Sequence, residues 1–260
     1  QLSASTTNVV RVRRTSDNTE QDFTAAEITD GTLVSFVGAF TSGYVTKWYD
    51  QSNSAHVINF TALQQPRIVS AAGLILKNGK PSVEFNFANN NSLNVLLTAP
   101  FTSQYYLFAV NSWEAPEEGA TYMYGLRTPS IPYISGDEKS NSMSWNGSTG
   151  RMKGAGIPGA GVTDLTFPRV GTFPQSLYYA RQAVGTGSLG SQLKINTTQY
   201  PSFGVTDNGS AQVNSINLAE DGVGNNNSGM YLQEFILYFA DPASNATAIE
   251  SNINTHYSIY

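Results

Sequence analysis

The chain has no cysteine and only two histidines. The absence of cysteine excludes disulfide bonds, thiolate metal sites and cysteine nucleophiles, while it leaves the cellular compartment open. The histidines, His56 and His256, lie far apart in the sequence. They therefore provide neither the spacing of a histidine metal site nor the local signature of a Ser-His-Asp triad.

Charged residues are also few, at 13% of the chain, and the 14 lysines and arginines are scattered. With a net charge of −5 the sequence has no basic stripe to contact a phosphate backbone, so we expect no nucleic-acid partner. No segment approaches the roughly 18 apolar residues of a membrane span, and no signal-like segment follows Gln1. We therefore expect no membrane insertion, and the missing initiator methionine suggests a processed protein or an excised domain.

Glycine, serine, threonine and asparagine are abundant, and aromatic residues make up 12% of the chain. This composition favours many strands joined by turns over helices with ion-paired faces. Apolar alternation recurs about every 8 to 12 residues, a spacing typical of an antiparallel sandwich. A chain of 260 residues is within the size that single all-β domains reach. The sequence therefore predicts one all-β domain that spans residues 1–260.

The most informative stretch is residues 46–56. A strand-like run, residues 43–49, ends abruptly in Asp50-Gln51-Ser52-Asn53-Ser54. The side chains of this polar segment can hydrogen-bond to their own backbone, which favours a turn over a continued strand. The pattern predicts a strand that ends in an acceptor-rich corner.

Three further segments have distinct patterns. Residues 103–112 form the most hydrophobic predicted strand, and we expect it at the centre of a sheet. Residues 147–161 contain six glycines and a proline, which predicts a surface loop. The apolar residues of segment 32–37 match both the helical and the strand period, so this element is either a helical turn or a strand.

The C-terminal segment predicts a short helix. Asp241 is a suitable N-cap, and Pro242 suits the first helical position. The predicted apolar face consists of Ile249, Ile253, His256 and Tyr257. We expect this face, including His256, to pack against the sandwich.

Four motifs follow one another in a familiar order: Val12-Arg13-Arg14 with Asp17-Asn18, then Trp48-Tyr49-Asp50-Gln51-Ser52, then Gln65-Pro66, and then Asn78-Gly79-Lys80-Pro81. This order resembles the concanavalin A-like (LamG-like) sandwich of B-type α-L-arabinofuranosidases. It is also similar to related lectin-like domains of bacterial surface proteins and phage virion proteins. The resemblance covers residues 9–90 and returns in residues 231–260. It implies an antiparallel β-sandwich of the jelly-roll type with a short C-terminal helix.

Retaining glycosidases need two carboxylates about 5 Å apart, one as the nucleophile and one as the acid/base. The resemblance places the family's acid/base aspartate at Asp221. The family's nucleophile is a glutamate followed by two asparagines, after a tryptophan, and the matching residues 143–148 contain no carboxylate. Glu138 lies just upstream, and the pair of cysteines that lines the family's sugar pocket is missing. We therefore expect a non-catalytic module, with a hydrolase that uses Asp221 and Glu138 as the alternative.

A sugar-binding module uses flat aromatic rings that stack on the sugar, together with Asp, Asn and Gln side chains that pair with its hydroxyls. Among the tryptophans, Trp48 is expected in the core, and Trp145 is expected to be more exposed. An acceptor-rich loop at Asp221 suits hydroxyls or, as a weak signal without EF-hand spacing, calcium, and a ligand-free turn is its alternative interpretation. The predicted carbohydrate-binding residues are Trp145, Asn146, Asp221, Asn225, Asn226, Asp50 and Gln51. No other metal or cofactor is predicted.

Together these features predict a non-catalytic, lectin-like binding module on a virion or an extracellular cell surface. The resemblance implies a phage tail or head fibre, a decoration protein or a receptor-binding protein. The expected partners are a cell-surface glycan or polysaccharide and other virion subunits. A purely structural assembly domain, in which Trp113 or Trp145 anchors a neighbouring subunit, is a further alternative.

Overall fold

The computed structural model describes residues 7–52, 55–102, 105–113, 120–127, 141–146, 149–153, 165–168, 174–182, 191–203, 212–220, 229–240, 242 and 244–260. In chain order the strands in these ranges are β1 (Asn8–Arg14), β2 (Glu20–Thr24), β3 (Gly43–Trp48), β4 (Val57–Ile58), β5 (Arg67–Ser70), β6 (Gly73–Leu74), β7 (Leu76–Lys77), β8 (Lys80–Pro81), β9 (Val83–Phe85), β10 (Leu93–Thr102), β11 (Tyr105–Trp113), β12 (Ala120–Arg127), β13 (Asn141–Asn146), β14 (Thr149–Lys153), β15 (Leu165–Pro168), β16 (Ser176–Gln182), β17 (Ser191–Ile195), β18 (Thr198–Phe203), β19 (Gln212–Leu218) and β20 (Met230–Tyr238). The helices are α1 (Ala25–Thr29), α2 (Thr32–Val37) and α3 (Ala246–Tyr257), with 3-10 helices at Ala62–Gln64 and Phe87–Asn89.

Apart from the separate two-stranded β7–β8 sheet, these strands form two antiparallel layers, and the short β6 pairs with β5 of the first layer. The first sheet has the order β2-β1-β3-β5-β9-β20-β11-β16-β17-β18. The second has the order β4-β10-β19-β12-β13-β14-β15. Strand β3 joins the layers, because its first part pairs with β5 and its last part pairs with β4. One core cluster contains residues of both sheets, so they pack face to face and confirm the predicted all-β sandwich.

Strand β11 lies at the centre of the first sheet. All nine of its residues are buried, and it pairs with β20 on one side and β16 on the other. Its inward side chains, Tyr105, Leu107 and Ala109, belong to the core between the sheets. The prediction that residues 103–112 form a central strand is therefore confirmed, with the strand placed at Tyr105–Trp113.

A second apolar cluster lies on the outer face of the same strand. Phe108 and Val110 of β11 pack there with neighbours on β16 and β20 and with Ile253 and Tyr257 of α3. The C-terminal helix thus covers the part of the sheet around β11. This contact explains why a helix of only twelve residues is held in place, since a short helix depends on tertiary packing for its stability.

The start of α3 and one of its face residues differ from the prediction. The helix begins at Ala246 with Asn245 as the N-cap, so the predicted start at Asp241 and Pro242 is wrong. His256 is exposed and contacts the Tyr257 ring edge-on, whereas Ile253 and Tyr257 are buried.

The position of His256 follows from helical geometry. Because each helical residue turns about 100°, the buried side of α3 is centred near Ile253 and extends toward Glu250, which pairs with Lys194 of β17. His256 falls on the edge of that side, away from Glu250.

Two other segments are settled by the structure. Segment Thr32–Val37 is helix α2, and α1 before it begins with a capping box of Thr24 and Glu27. The loop predicted for residues 147–161 is wrong over Thr149–Lys153, which is strand β14 between β13 and β15. Pairing on both sides compensates there for the weak strand propensity of Gly150. No helix in the described ranges is long and apolar enough to cross a bilayer.

A buried tyrosine pair offers a test of the core. The hydroxyls of Tyr105 on β11 and Tyr124 on β12 lie 2.7 Å apart, and both side chains are fully buried. We expect Tyr105→Phe and Tyr124→Phe each to lower the free energy of unfolding by about 1–3 kcal/mol, because each leaves one buried hydroxyl without its partner. The double variant removes both hydroxyls, so its loss falls below the sum of the two single losses by about 1 kcal/mol or more.

Urea unfolding of the four proteins measures this coupling. Tyr260→Phe, at a half-exposed position, serves as the control, with an expected change within about 0.5 kcal/mol. Strictly additive losses would contradict the hydroxyl pair.

Candidate functional site

The polar corner after β3 forms as the sequence predicts. The Asp50 carboxylate accepts hydrogen bonds from the Ser52 amide and hydroxyl, both at 2.9 Å, and from the Ala55 amide at 3.2 Å. The Asp50 amide donates to Nδ1 of His56 at 3.1 Å. The carboxylate of Asp50 therefore closes its own turn.

Gln51 ties this corner to the beginning of β1. Its Nε2 donates to the carbonyl oxygens of Asn8 and Tyr49, both at 3.0 Å. Its Oε1 is buried and has no hydrogen-bond partner among the described residues. The polar groups of Asp50 and Gln51 thus shape the corner, and their role in carbohydrate binding stays a prediction.

The remaining predicted site residues lie elsewhere. Trp145 and Asn146 are on β13, opposite Gly150 and Thr149 of β14. The other predicted positions lie outside the described residues: Asp221, Asn225, Asn226 and Glu138. The structure thus places Trp145 and Asn146 at the end of a hairpin and does not test the grouping with Asp221.

The other two tryptophans belong to the interior. Trp113 is buried, and its Nε1 donates to the Tyr178 hydroxyl at 3.2 Å, so it is not available to stack on a sugar or to anchor a subunit. Trp48 is partly buried and packs against the core between the sheets, as predicted.

A cluster of charged and aromatic side chains lies beside the corner, which we call the Asp22 cluster (Arg11, Asp22, Lys47, Tyr49 and His56). Arg11 donates from Nε and Nη2 to the two carboxylate oxygens of Asp22, at 2.6 and 2.9 Å. The Tyr49 hydroxyl donates to the same carboxylate at 2.8 Å. Lys47 is the cross-strand partner of Arg11, and its ammonium lies 5.1 Å from the centre of the Tyr49 ring.

These contacts shift the ionisation of the Asp22 cluster. The hydrogen bonds from Arg11, above all, hold the pKa of Asp22 below its usual value, and the Tyr49 hydroxyl adds to this. Burial raises the pKa of Tyr49, and its bond to Asp22 acts in the same direction. Burial and the nearby Lys47 charge lower the pKa of His56. The carboxylate of Asp22 is therefore fixed in its charged form.

A second set of polar side chains crosses the first sheet from strand to strand, and we call it the cross-sheet row. The row has seven members, and each one is the direct cross-strand partner of the next: Glu20, Arg13, Tyr44, Arg67, Glu84, Tyr231 and Ser112. Direct partners in a sheet point to the same face. The row therefore extends over seven strands, or about 29 Å at roughly 4.8 Å per strand.

Contacts along the row confirm that its side chains share one face. The Arg13 guanidinium lies 5.4 Å from the centre of the Tyr44 ring. Arg67 donates to the Glu84 carboxylate at 2.6 Å, and the Tyr231 hydroxyl donates to it at 3.2 Å. The ammonium of Lys77, from the β7–β8 hairpin, lies 3.5 Å from the centre of the Tyr231 ring.

The row lies on the outer face of the sheet and is partly open to solvent. Alternate residues on the same strands, such as Val12, Val45 and Val83, are buried in the core between the sheets. Glu84 and Ser112 are buried in the row, whereas Glu20 is exposed and the other four members are half-buried. The two phenol rings, those of Tyr44 and Tyr231, thus lie among side chains that donate and accept hydrogen bonds.

Sequence reasoning did not find the Asp22 cluster or the cross-sheet row. The available signal was the alternation in Val10-Arg11-Val12-Arg13, which puts two arginines on the polar side of a predicted strand. Their partners depend on strand register, which the local pattern does not specify. Among the described residues, no three His, Asp or Glu side chains come together as a metal site, and the calcium interpretation of the Asp221 loop is untested.

The Asp22 cluster leads to a pH-dependent prediction. A depressed pKa means that the ionised Asp22 stabilises the fold above its ordinary pKa of about 3.9 and that this stabilisation is lost as the pH falls through the lower folded value. We expect Asp22→Asn to lower the free energy of unfolding by about 1 kcal/mol at pH 7, a modest value because solvent screens the pair. The difference from the parent protein shrinks as the pH falls below about 3.9.

Urea unfolding at pH 7 and near pH 3 measures this gap. Tyr49→Phe, which removes only one of the four side-chain hydrogen bonds to the Asp22 carboxylate, gives a smaller loss at pH 7. An equal gap at both pH values would contradict the stabilising role of the charge.

Comparisons with known proteins place the fold. No protein-family model matches the sequence, and no curated protein matches it. Two solved structures are similar over 97% of this chain and 60% of their own: a mutant GH54 α-L-arabinofuranosidase soaked with 4-nitrophenyl α-L-arabinofuranoside, at a TM-score of 0.63 and 15% identity, and a GH54 α-L-arabinofuranosidase soaked with a cyclic sulfate inhibitor, at 0.60 and 14%. The chain thus spans about 60% of the length of these structures. At this identity the likeness shows a shared β-sandwich fold.

Proposed function

We propose that this chain is a non-catalytic, lectin-like module that binds carbohydrate. The observation that carries the proposal is the cross-sheet row, a line of phenol rings and hydrogen-bonding side chains on the outer face of the first sheet. Aromatic rings stack on the apolar faces of sugars, and charged or amide groups pair with sugar hydroxyls. The row combines both kinds of group.

The dimensions of the row fit an extended oligosaccharide. Tyr44 on β3 and Tyr231 on β20 are three strand spacings apart, or about 14 Å. Arg67 and Glu84 lie between them and are already joined to each other. Their pairing holds both side chains in fixed positions, which reduces the entropy that a ligand would have to offset on binding.

The charged form of Asp22 argues against a role for this residue as a general acid. A general acid must carry a proton near the working pH, and Arg11 keeps Asp22 ionised. The Glu84 carboxylate accepts hydrogen bonds from Arg67 and Tyr231. A hydrolase that uses Asp221 and Glu138 is the alternative, supported by the fold that this chain shares with arabinofuranosidases.

The proposed partners are a cell-surface glycan or polysaccharide and, in a virion, neighbouring subunits. The proposed location is the surface of a phage virion or an extracellular cell surface, which rests on the sequence resemblance. Immunogold electron microscopy of intact particles and cells, with antibodies raised against the chain, tests this location. Label confined to the cell interior would overturn it.

Glycan-array binding of the purified chain tests the function. We expect saturable binding to at least one glycan, and about a tenfold loss of affinity in Tyr44→Ala and in Tyr231→Ala because each removes a stacking ring. Tyr260→Ala, which truncates a half-exposed tyrosine outside the row, retains the parent affinity. Asp221→Ala and a calcium chelator are tested in parallel. They distinguish a binding site at the cross-sheet row from one at the Asp221 loop.

The outcomes of this assay separate the remaining functions. Binding that is lost only in Asp221→Ala would move the site to that loop, and chelator sensitivity would add a bound cation. No binding by a protein shown to be folded would favour the purely structural assembly role.

A hydrolysis assay tests the enzyme alternative. We expect no release of 4-nitrophenol from 4-nitrophenyl α-L-arabinofuranoside above the rate in buffer, because the family's nucleophile has no matching carboxylate. Turnover that disappears in both Asp221→Ala and Glu138→Gln would overturn the binding-module proposal in favour of the hydrolase. Turnover that both variants retain would point to a contaminating enzyme.

A further inference from the structure

The part of the first sheet's outer face around the cross-sheet row and the Asp22 cluster carries more basic than acidic side chains. The cross-sheet row, the Asp22 cluster and Lys77 of the adjoining hairpin contribute five basic residues: Arg11, Arg13, Lys47, Arg67 and Lys77. The same surface contributes three acidic residues: Glu20, Asp22 and Glu84. The whole chain, in contrast, has 14 basic and 19 acidic residues. This face is therefore net positive on a net negative protein.

Two of the five cations are neutralised by carboxylates. Arg11 binds Asp22 through two hydrogen bonds, and Arg67 binds Glu84. Pairs of this kind contribute little net charge to the surface.

Within the described ranges, the third arginine, Arg13, donates hydrogen bonds only to neutral acceptors. Its guanidinium donates to Gln65 Oε1 at 2.8 Å, to Asn18 Oδ1 at 2.8 Å and to the Ala62 carbonyl at 3.2 Å. These bonds hold the guanidinium in place without cancelling its charge.

The two lysines have aromatic contacts instead of ion pairs. Lys47 lies over the Tyr49 ring and Lys77 over the Tyr231 ring, at 5.1 and 3.5 Å from the ring centres. In the part of the chain that the structure describes, neither ammonium is within ion-pair distance of a carboxylate. A cation held over an aromatic ring is positioned while its charge remains available to an anion.

We propose that the ligand of this module is an acidic polysaccharide whose sugar carboxylates pair with Lys47 and Lys77. This inference rests on the proposed carbohydrate-binding function and adds the chemical class of the glycan. Lys47 follows Tyr44 by three residues on β3, and Lys77 lies over Tyr231 of β20, so the two lysines flank the part of the row between Tyr44 and Tyr231. A polymer with repeated carboxylates can reach both ammonium groups along one extended chain.

The same charges fit a nucleic acid less well. A phosphate backbone carries closely spaced charges and is bound by continuous basic stripes. Here Asp22 and Glu84 interrupt the basic residues, and a phosphate backbone laid along the row would meet these carboxylates. Separate cations with tyrosine rings between them fit the more widely spaced charges of an acidic glycan.

Polygalacturonate and its fully methyl-esterified form are a matched pair of probes, because they share a backbone and differ in the charge of the carboxyl group. We expect the purified chain to bind polygalacturonate at least about tenfold more tightly than the methyl ester, with affinity that falls as salt is raised. Lys47→Gln and Lys77→Gln each reduce the affinity for polygalacturonate by about tenfold, and Lys47→Arg and Lys77→Arg, which keep the charge, retain it. Biolayer interferometry measures these affinities.

The control is Arg14→Gln, which removes one positive charge from β1, the strand that pairs with β3. Arg14 is paired with Asp17 and reaches the Phe36 carbonyl instead of the row. We expect it to leave the affinity within about twofold of the parent value. Melting curves of all variants confirm that each one is folded.

The possible outcomes distinguish the acidic-glycan proposal from the carbohydrate-binding function on which it rests. Equal binding to both polymers, binding that both lysine variants retain, or binding to single-stranded DNA in place of polygalacturonate would overturn the acidic-glycan proposal. A neutral glycan that binds in a Tyr44-dependent manner would leave the carbohydrate-binding function standing and overturn only the charge assignment. No binding to any polysaccharide would overturn both.

Discussion

The burial of strand β11 on both faces is the constraint on which the rest of the structure depends. Its inner side chains fill the core between the sheets, and its outer side chains fill the contact with α3. A strand buried on both sides cannot slip in register, because a shift of one residue would exchange its two faces. Strand β20 is paired to β11 over its whole length and is fixed with it.

The positions of the side chains in the cross-sheet row depend on this fixed register. Tyr231 is held opposite Ser112 of β11 by the pairing of β20, and it meets Glu84 only because β9 pairs with the other edge of β20. At the far end of the row, an irregularity between Arg11 and Val12 shifts the register of β1 against β3. The extra residue, Thr46, donates to Glu20 and the Arg11 carbonyl. The row is therefore a product of six separate strand pairings and not of any local motif.

This dependence explains what the sequence could and could not reveal. Strand β11, the corner at Asp50 and the packing of Ile253 and Tyr257 follow from local rules, such as apolar density, side-chain fold-back and helical period, and they are confirmed. Arg67 and Glu84, in contrast, meet across two strands. Their contact depends on strand register, which no local pattern specifies.

The errors have the same origin. The glycines of residues 147–161 predict a loop, but Gly150 lies in β14, which is paired with a strand on each side. The helical pattern predicts His256 on the buried face, but that face is centred near Ile253 and extends toward Glu250, which pairs with the distant Lys194. The roles of Asp221, Asn225 and Asn226 stay predictions, since these residues lie outside the described ranges.

The last part of the sequence is built into the middle of the first sheet. Strand β20 separates β9 from β11, and α3 then covers the outer face beside it. The helix is also tied back to the β7–β8 hairpin, where Asn78 donates to the Tyr257 carbonyl at 2.9 Å. During synthesis, β1 to β9 therefore emerge long before the strand that joins them to β11. Until residues 230–257 leave the ribosome, β9 and β11 each present an unpaired edge, and the nascent chain is exposed to strand-mediated aggregation throughout that interval.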